Sequence, residues 1–270
     1  MPAQWRMVRS APATGARNMA VDATLLEAAR RRAFGVWRTY AWATPTVSFG
    51  RHEAVRGRFD ADTLARAGLD AVRRPTGGRA LLHAAEVTYS VALPVADNIP
   101  WRSVYQAVNA VVLEALHSLD VNASLVPEEG APLLRPEGPV CFDQPAPGEI
   151  VVLHAGVRAK LVGSAVWRDR GAYLQHGSIL LQDEQGRLSE ATIGHVTTPP
   201  PAASLATCLA VTPSWDAVAT ALEQALAASV ARAPALAEEC IAVPEDDLLD
   251  PDAIAQHDAR FCDPRWLWRR

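Results

Sequence analysis

The sequence predicts an α+β protein with a largely antiparallel sheet, for three reasons. From Glu149 onward, strand patterns separated by short turns follow one another as in a β-meander. Apolar residues recur at helical spacing over 17–33, 101–119 and 215–233. Apolar residues also make up 49% of the 270-residue chain, which is enough for a substantial core. Because neither an internal repeat nor a linker divides the sequence, we expect a single domain over residues 1–270.

The composition argues against several classes of function. A net charge of −4 is unlike that of a general nucleic-acid-binding domain, which is usually basic. The N-terminus lacks the apolar core of a secretory signal, and no stretch approaches the ~18 apolar residues of a membrane span. We therefore expect a cytoplasmic protein without membrane contact. The four cysteines form no C-x-x-C pair and the seven histidines no H-E-x-x-H, so we expect neither a metal site nor a cofactor.

Local patterns predict the elements that come before the meander. In the first helix, Val21, Leu25 and Ala28 lie on one face, and three arginines follow at its end, where cations suit the helix dipole. Aromatic and β-branched residues predict strands, and Gly68 ends a short helix. These predicted elements are VWRTYAW (36–42), TVSFG (46–50), the short helix over 61–67 and EVTYSVALP (86–94).

The segment LDAVRRPTGGRALLH predicts a ligand-contacting loop between two strands. Gly77 and Gly78 let the backbone approach a ligand, and successive N–H groups there can bind an anion or a carbonyl oxygen. Arg73, Arg74 and Arg79 make the loop a positive site in an acidic protein. An ordinary turn is the simpler explanation of the glycines alone, and the pattern is neither a Rossmann fingerprint nor a P-loop.

Cys141 lies in a long predicted loop. Residues 122–148 lose periodicity and contain six prolines, and long loops in compact domains are often functional. A thiol of pKa ~8.5 is only a few per cent thiolate at neutral pH, so catalysis requires a neighbour that stabilises the thiolate. Taken alone, Cys141 is also consistent with a buried, unreactive thiol.

Lys160 is the only lysine among the 26 lysines and arginines. Because arginine cannot lose its proton, the single lysine indicates a role for a compact or deprotonatable ammonium, although a chance surface lysine is the alternative. The small residues Gly163 and Ser164 follow on the same strand and leave room for a ligand. His176 and Gly177 on the next strand are expected to face the same cleft. An ammonium ~4 Å from a thiolate, at an effective dielectric of ~20, supplies at most ~4 kcal/mol.

Taken together, these stretches resemble the lipoate/octanoate protein ligase and transferase family, which is related to biotin protein ligase. The resemblance covers nearly the whole chain and is carried, in order, by NMAVDATLL, PTVSFGRHE, RRPTGGRALLHAAEVTYSV, VCFDQP, KLVGSAVWR and LQHGSILL. Within the family, the sequence is most similar to the octanoyl-[acyl carrier protein]:protein N-octanoyltransferases with a cysteine in a C-F-D loop. Two segments depart from that pattern: Ala84-Ala85 after His83, and APGE after the cysteine loop.

The resemblance implies a mixed, largely antiparallel sheet packed with helices, like the catalytic domain of biotin/lipoate protein ligases. It implies that Cys141 is the nucleophile and Lys160 its catalytic partner. The donor would be octanoyl on acyl carrier protein, and the acceptor a lysine of a lipoyl domain or of the glycine-cleavage H protein. Thioester to amide is downhill, so the route needs no ATP. The implied substrate-binding residues are Arg73, Arg74, Thr76, Gly77, Gly78, Arg79, His83, Gly163, Ser164, His176 and Gly177.

Three other functions remain open from the sequence. An ATP-dependent lipoate–protein ligase would use the same cleft for an acyl-adenylate and leave Cys141 incidental. Against this, the loop reads TGGR rather than the triple glycine of many ligases, and the chain is short for an accessory domain. An amidotransferase that moves octanoyl between lipoyl domains would share both catalytic residues. A non-catalytic lipoate-binding protein would not need Cys141 and Lys160, which are both present.

Overall fold

The computed structural model describes residues 4–127, 146–154, 156–194, 202–232 and 239–269. The strands are β1 (Gln4–Arg9), β2 (Phe34–Tyr40), β3 (Thr46–Phe49), β4 (Asp70–Arg73), β5 (Leu81–His83), β6 (Glu86–Pro94), β7 (Ala123–Leu125), β8 (Ile150–His154), β9 (Val157–Asp169), β10 (Ala172–Leu180) and β11 (Glu239–Ala242). The helices are α1 (Gly15–Ala29), α2 (Ala61–Arg66), α3 (Trp101–Ser118), α4 (Arg187–Glu190), α5 (Leu205–Cys208), α6 (Trp215–Ala231), α7 (Pro251–Phe261) and α8 (Pro264–Leu267).

The described strands form a larger and a smaller sheet. The larger has the order β11-β1-β2-β6-β10-β9-β8-β7. Its pairs from β2 to β7 are antiparallel, whereas β1 is parallel to both β2 and β11. The predicted mixed, largely antiparallel sheet packed with helices is confirmed.

Alternation along β6 gives the larger sheet two different faces. Val87, Tyr89 and Val91 belong to the apolar core that includes residues of α3 and α6. Because side chains alternate along a strand, Thr88 and Ser90 point to the opposite face, where α1 packs. Helices thus cover both faces, and the face under α1 is the polar one.

The smaller sheet has the order β4-β3-β5 and carries the glycine loop, which we define as residues 74–80. Its strands β4 and β5 both pair with β3, parallel and antiparallel respectively, so the glycine loop crosses the end of β3 and does not form a hairpin. Gly50 lies directly under it: a Cβ added there would be 1.9 Å from the carbonyl oxygen of Gly78. Only glycine allows so close an approach.

Most predicted elements are confirmed within a few residues at each end. The predicted loop over 122–148 was wrong at its start, because β7 forms there at the sheet edge; three residues are too few to show a strand period. The C-terminal segment also contains β11 and the helices α7 and α8, which were not predicted. Trp266 anchors this end of the chain by donating from Nε1 to the carbonyl of Arg73 at 2.8 Å. Among the described residues, no helix has the length and hydropathy of a membrane span.

Candidate active site

The floor of the site is a row of side chains that crosses the larger sheet under α1. Gly163, Ser178, Thr88 and Tyr40 lie side by side on β9, β10, β6 and β2. Three spacings between neighbouring strands make this row about 14 Å long. Its side chains increase in size from glycine to tyrosine, so the space above the row is open at β9 and filled at β2.

An inner cavity lies above this row. Met19, Tyr40, Trp42 and Leu81 form its apolar wall, and Trp42 stacks on the His83 ring with centroids 3.9 Å apart. Six of the predicted substrate-binding residues line it: Arg74, His83, Gly163, Ser164, His176 and Gly177. Its volume of about 20 Å³ holds roughly one water molecule, so side chains must move before an acyl chain can enter.

His83 is held by a chain of hydrogen bonds. Its Nδ1 lies 2.6 Å from Oε1 of Glu86, and its Nε2 lies 2.7 Å from the hydroxyl of Ser48. Thr88 and Ser178 also donate to the same Glu86 oxygen. All five side chains are buried. Because a carboxylate accepts from Nδ1–H, Nε2 is the acceptor for the Ser48 hydroxyl.

His176 is held by a second chain of the same kind. Its Nε2 lies 2.6 Å from the hydroxyl of Thr76, and its Nδ1 lies 3.3 Å from Oδ2 of Asp22. Burial lowers the pKa of His176, and the opposing attraction of Asp22 is smaller. Burial opposes ionisation of Asp22, but the hydrogen bond from His176 and the charge of Arg38 together lower the pKa of this carboxyl. His176 is therefore neutral and Asp22 ionised near pH 7.

Arg74 holds the glycine loop from the inside. Its guanidinium donates to the carbonyls of Gly77 and Arg79 at 3.1 and 2.7 Å and also to the carbonyl and hydroxyl of Ser48. Since the N–H of a trans peptide points away from the preceding carbonyl, the Gly78 N–H is directed away from Arg74. Gly77 and Gly78 both line an outer cleft.

The outer cleft meets the inner cavity at Ser164 and Ala165, which line both. Its volume is about 470 Å³, and Trp101 and Glu149 are also on its wall. The cleft is therefore large enough for a polar substrate segment, whereas the inner cavity is narrow and mostly apolar.

Lys160 is buried at the edge of the outer cleft. Its side chain is 3% exposed, and Nζ donates to Oε1 of Glu149 at 2.7 Å. The other oxygen of Glu149 accepts from the N–H of Ala146 at 2.7 Å. A surface lysine is thereby excluded: a buried ammonium requires a partner of this kind. Glu149 also cancels part of the positive field that we expected Lys160 to exert on a thiolate.

Glu149 also lies where the chain returns from the segment that contains Cys141. Val126 exchanges backbone hydrogen bonds with Gly148 and Glu149, so residues 127 and 146 flank that segment close to Lys160. Cys141 itself lies outside the described residues, and its role as nucleophile stays a prediction.

Three predicted binding residues do not line either space. Arg73 is completely buried and donates to the carbonyls of Leu267, Arg269, Gly50 and Glu53. This environment is structural, and it differs from the positive ligand site that the sequence predicts for Arg73. Arg79 is half-buried at the end of the glycine loop. Thr76 is buried beneath it against His176.

Sequence reasoning missed several residues of the site, four of which bear directly on its chemistry. Met19 and Asp22 lie in the stretch NMAVDATLL, whose pattern predicts only a helix. The pattern around Trp42 predicts only a strand. Glu149 was overlooked, although it stands eight positions after Cys141 and begins the meander that holds Lys160. The available signal was an ionisable residue at the start of the meander whose second strand carries the only lysine.

Comparison with solved structures identifies the class of fold. The chain covers 99% of its length and 96% of a bi-partite lipoate protein ligase from Thermoplasma acidophilum, solved as part of a lipoylation system with its E2 lipoyl domain, at a TM-score of 0.74 and 19% identity. A lipoate-protein ligase A bound with ATP matches over 98% of both chains at a TM-score of 0.74 and 19% identity. The fold is that of a lipoate–protein ligase catalytic domain.

Comparisons of sequence identify the family to which the chain belongs. Residues 14–227 match the model of the lipoyl protein ligase A/B catalytic domain. The octanoyltransferase LipM of Anoxybacillus flavithermus is 38% identical over 192 residues, 68% of each chain, and that of Geobacillus kaustophilus is 39% identical over 190 residues, 67% of each chain. The chain therefore belongs to the lipoyl protein ligase A/B catalytic-domain family, and its relatives support an acyltransferase.

Proposed function

We propose that the protein transfers an octanoyl group from acyl carrier protein to a lysine of a lipoyl domain or of the glycine-cleavage H protein. The observation that carries this proposal is the buried Lys160–Glu149 pair beside the flanks of the Cys141 segment. The octanoyltransferases among the relatives support the acyl group, and a lipoyl domain accompanies one ligase of the same fold.

The first half-reaction forms an acyl-enzyme. The thiolate of Cys141 attacks the thioester carbonyl of the donor, the C–S bond to the carrier breaks, and the carrier thiol leaves with a proton. Lys160 is suited to pass that proton, because its ammonium has three donors and Glu149 fixes its position. We propose that the N–H of Gly78, a residue that lines the outer cleft, is the backbone donor to the oxygen of the thioester carbonyl as it develops charge.

The second half-reaction forms the amide. The neutral amine of the acceptor lysine attacks the carbonyl of the acyl-enzyme, the C–S bond to Cys141 breaks and releases its thiolate, and the proton that the amine loses returns to the neutral Lys160, which restores its ammonium. Because a thioester is converted into an amide, neither half-reaction requires ATP. The outer cleft, at about 470 Å³, has room for a carrier arm or an acceptor side chain. The narrow inner cavity suits the apolar acyl tail once Met19 has moved, since methionine readily changes its rotamer.

An ATP-dependent ligase is the main competing function. We expected the chain to be short for the accessory domain of a ligase. Its length does not distinguish a transferase from a ligase, because the chain covers 98% of a ligase bound with ATP. That likeness, at 19% identity, concerns the fold alone.

The test is octanoyl transfer to a purified lipoyl domain, followed by intact mass. The first reaction contains octanoyl-acyl carrier protein without ATP, the second contains free octanoate with ATP, and the third contains an octanoylated lipoyl domain or H protein as donor without ATP. We expect modification only in the first, its loss in Cys141→Ser, and its retention in Cys208→Ser, a matched change at a described cysteine outside both cavities. Modification only with ATP would establish a ligase. Transfer only from an octanoylated lipoyl domain or H protein would establish an amidotransferase.

A further inference from the structure

We propose that Asp22 and His176 are positioning residues that hold the glycine loop in its substrate-binding conformation by way of Thr76. This inference rests on the proposed function in one respect: it takes the glycine loop to contact the substrate. The chain of contacts joins three separate elements: Asp22 on α1, His176 on β10 and Thr76 in the loop.

Each contact in the chain has a defined direction. Asp22 is fully buried, and its Oδ1 accepts from Arg38 at 3.0 Å and from Ser90 at 2.7 Å. Its Oδ2 accepts from Tyr40 at 3.1 Å and faces Nδ1 of His176. An ionised carboxylate can only accept, so Nδ1 carries the imidazole proton. Nε2 is then an acceptor, and the hydroxyl of Thr76 donates to it.

The glycine loop needs such a tether. Gly77 and Gly78 follow Thr76 directly, and glycine loses more conformational freedom on ordering than any other residue. Arg74 holds the carbonyls of Gly77 and Arg79 from below, and the carbonyl of Thr76 accepts from the N–H of Arg51 at 2.8 Å. The Thr76 side chain adds the connection to the larger sheet, which forms the cavity floor.

Thr76 acts on substrate only through the loop. Thr76 is 1% exposed and does not line the inner cavity or the outer cleft, whereas Gly77 and Gly78 line the cleft. Losing its hydroxyl therefore removes no contact with an acyl group. The loss instead frees the backbone that faces the cleft, and a displacement of about 1 Å at a reacting group can cost roughly 100-fold in rate.

The first test is amide hydrogen exchange of the whole protein, which requires no activity. Thr76→Val removes the hydroxyl at constant shape, and Thr76→Ser keeps it. Thr24→Val is the matched control, because Thr24 is a buried threonine of α1 whose hydroxyl bonds only within its helix. We expect peptides covering residues 74–80 to exchange about fivefold faster in Thr76→Val, the effect of losing one hydrogen bond. Thr76→Ser and Thr24→Val should exchange there as the wild type does.

The second test is the rate of acyl-enzyme formation at saturating donor. We expect Thr76→Val to be about 10- to 100-fold slower with little change in KM, and Thr76→Ser to be within about threefold of wild type. Because Thr76 and His176 act on the loop in one chain, His176→Asn should add little to the faster exchange of residues 74–80 in Thr76→Val. Should Thr76→Val fail to fold, Thr76→Ala and His176→Asn carry the same exchange and rate comparisons.

The positioning role and the proposed function can be contradicted independently of each other. Unchanged exchange of residues 74–80 in folded Thr76→Val, or fully additive effects of the two substitutions, would overturn the positioning role. Absence of acyl-enzyme in the wild type would overturn the proposed function, while the exchange measurement would still decide whether the tether exists.

Discussion

The buried Lys160–Glu149 pair has both a structural and a chemical role, and these can be separated experimentally. Removing one partner of a buried ion pair leaves an uncompensated charge and typically costs ~3–5 kcal/mol, whereas replacing both by apolar residues is often neutral. Glu149 additionally fixes the Ala146 N–H. Loss of activity in a single variant would therefore mix loss of stability with loss of chemistry.

Lys160→Arg is the variant that keeps the positive charge. We expect it to fold and to lose octanoyl transfer by about 10²- to 10⁴-fold, because a guanidinium cannot give up its proton. The double variant Lys160→Met with Glu149→Leu should recover most of the stability lost by Lys160→Met alone and remain inactive. Transfer rates and urea unfolding check both statements. Near-wild-type transfer by Lys160→Arg would exclude a proton relay.

Met19 is part of the apolar wall of the inner cavity, and we expect it to limit acyl length. Met19→Ala removes three heavy atoms from the wall, so the preferred acyl chain should lengthen by about two carbons. Leu26→Ala, a buried α1 residue outside the cavity, is the matched control, since each substitution costs ~2–5 kcal/mol. Competition among six- to fourteen-carbon acyl carrier thioesters gives the preference. The same preference in both variants would show that Met19 does not set it.

The glycine loop shows how far elements could be predicted from sequence. The pattern RRPTGGR between two strand signals was enough to predict a loop and its glycines. That β3 lies between β4 and β5, so that Gly50 touches Gly78, depends on pairings between distant segments, which local patterns do not report. The same limit explains why Asp22 and Trp42 were missed: only tertiary packing brings Trp42 to the cavity and Asp22 to the ring of His176.

Gly50→Ala tests this arrangement of elements. A Cβ would sit 1.9 Å from the Gly78 oxygen, so the glycine loop must shift. We expect a stability loss of about 1–3 kcal/mol, typical of overpacking, together with reduced transfer. Gly186→Ala is the control, because a Cβ there meets nothing within 4 Å and its φ is −56°. Equal behaviour of the two variants would contradict the close contact.

The stability of the whole molecule should depend on pH through His176 and Asp22. Both have a pKa lowered in the folded protein, chiefly by burial for His176 and by hydrogen bonds and Arg38 that outweigh burial for Asp22. The unfolded chain thus binds protons first as pH falls. The free energy of unfolding should be fully present above pH ~6.5, fall below it through His176, and fall again below ~3.9 through Asp22.

Urea unfolding at several pH values between 7.5 and 5 checks this dependence. We expect His176→Gln to flatten the decline below pH ~6.5, where one proton contributes at most ~1.4 kcal/mol per pH unit. His117→Gln, an exposed histidine on α3, controls for the loss of an imidazole. A slope unchanged by His176→Gln would mean that this histidine is not held neutral.

At the scale of the whole molecule, we propose that catalysis depends on Cys141 carrying the acyl group, in the segment between residues 127 and 146, which lie close to the Lys160–Glu149 pair. The most direct measurement is the intact mass of the protein after incubation with octanoyl-acyl carrier protein and no ATP. We expect the mass of the protein to increase by one octanoyl group, which hydroxylamine removes and which Cys141→Ser does not acquire. No gain in mass, or a gain that persists in Cys141→Ser, would contradict it.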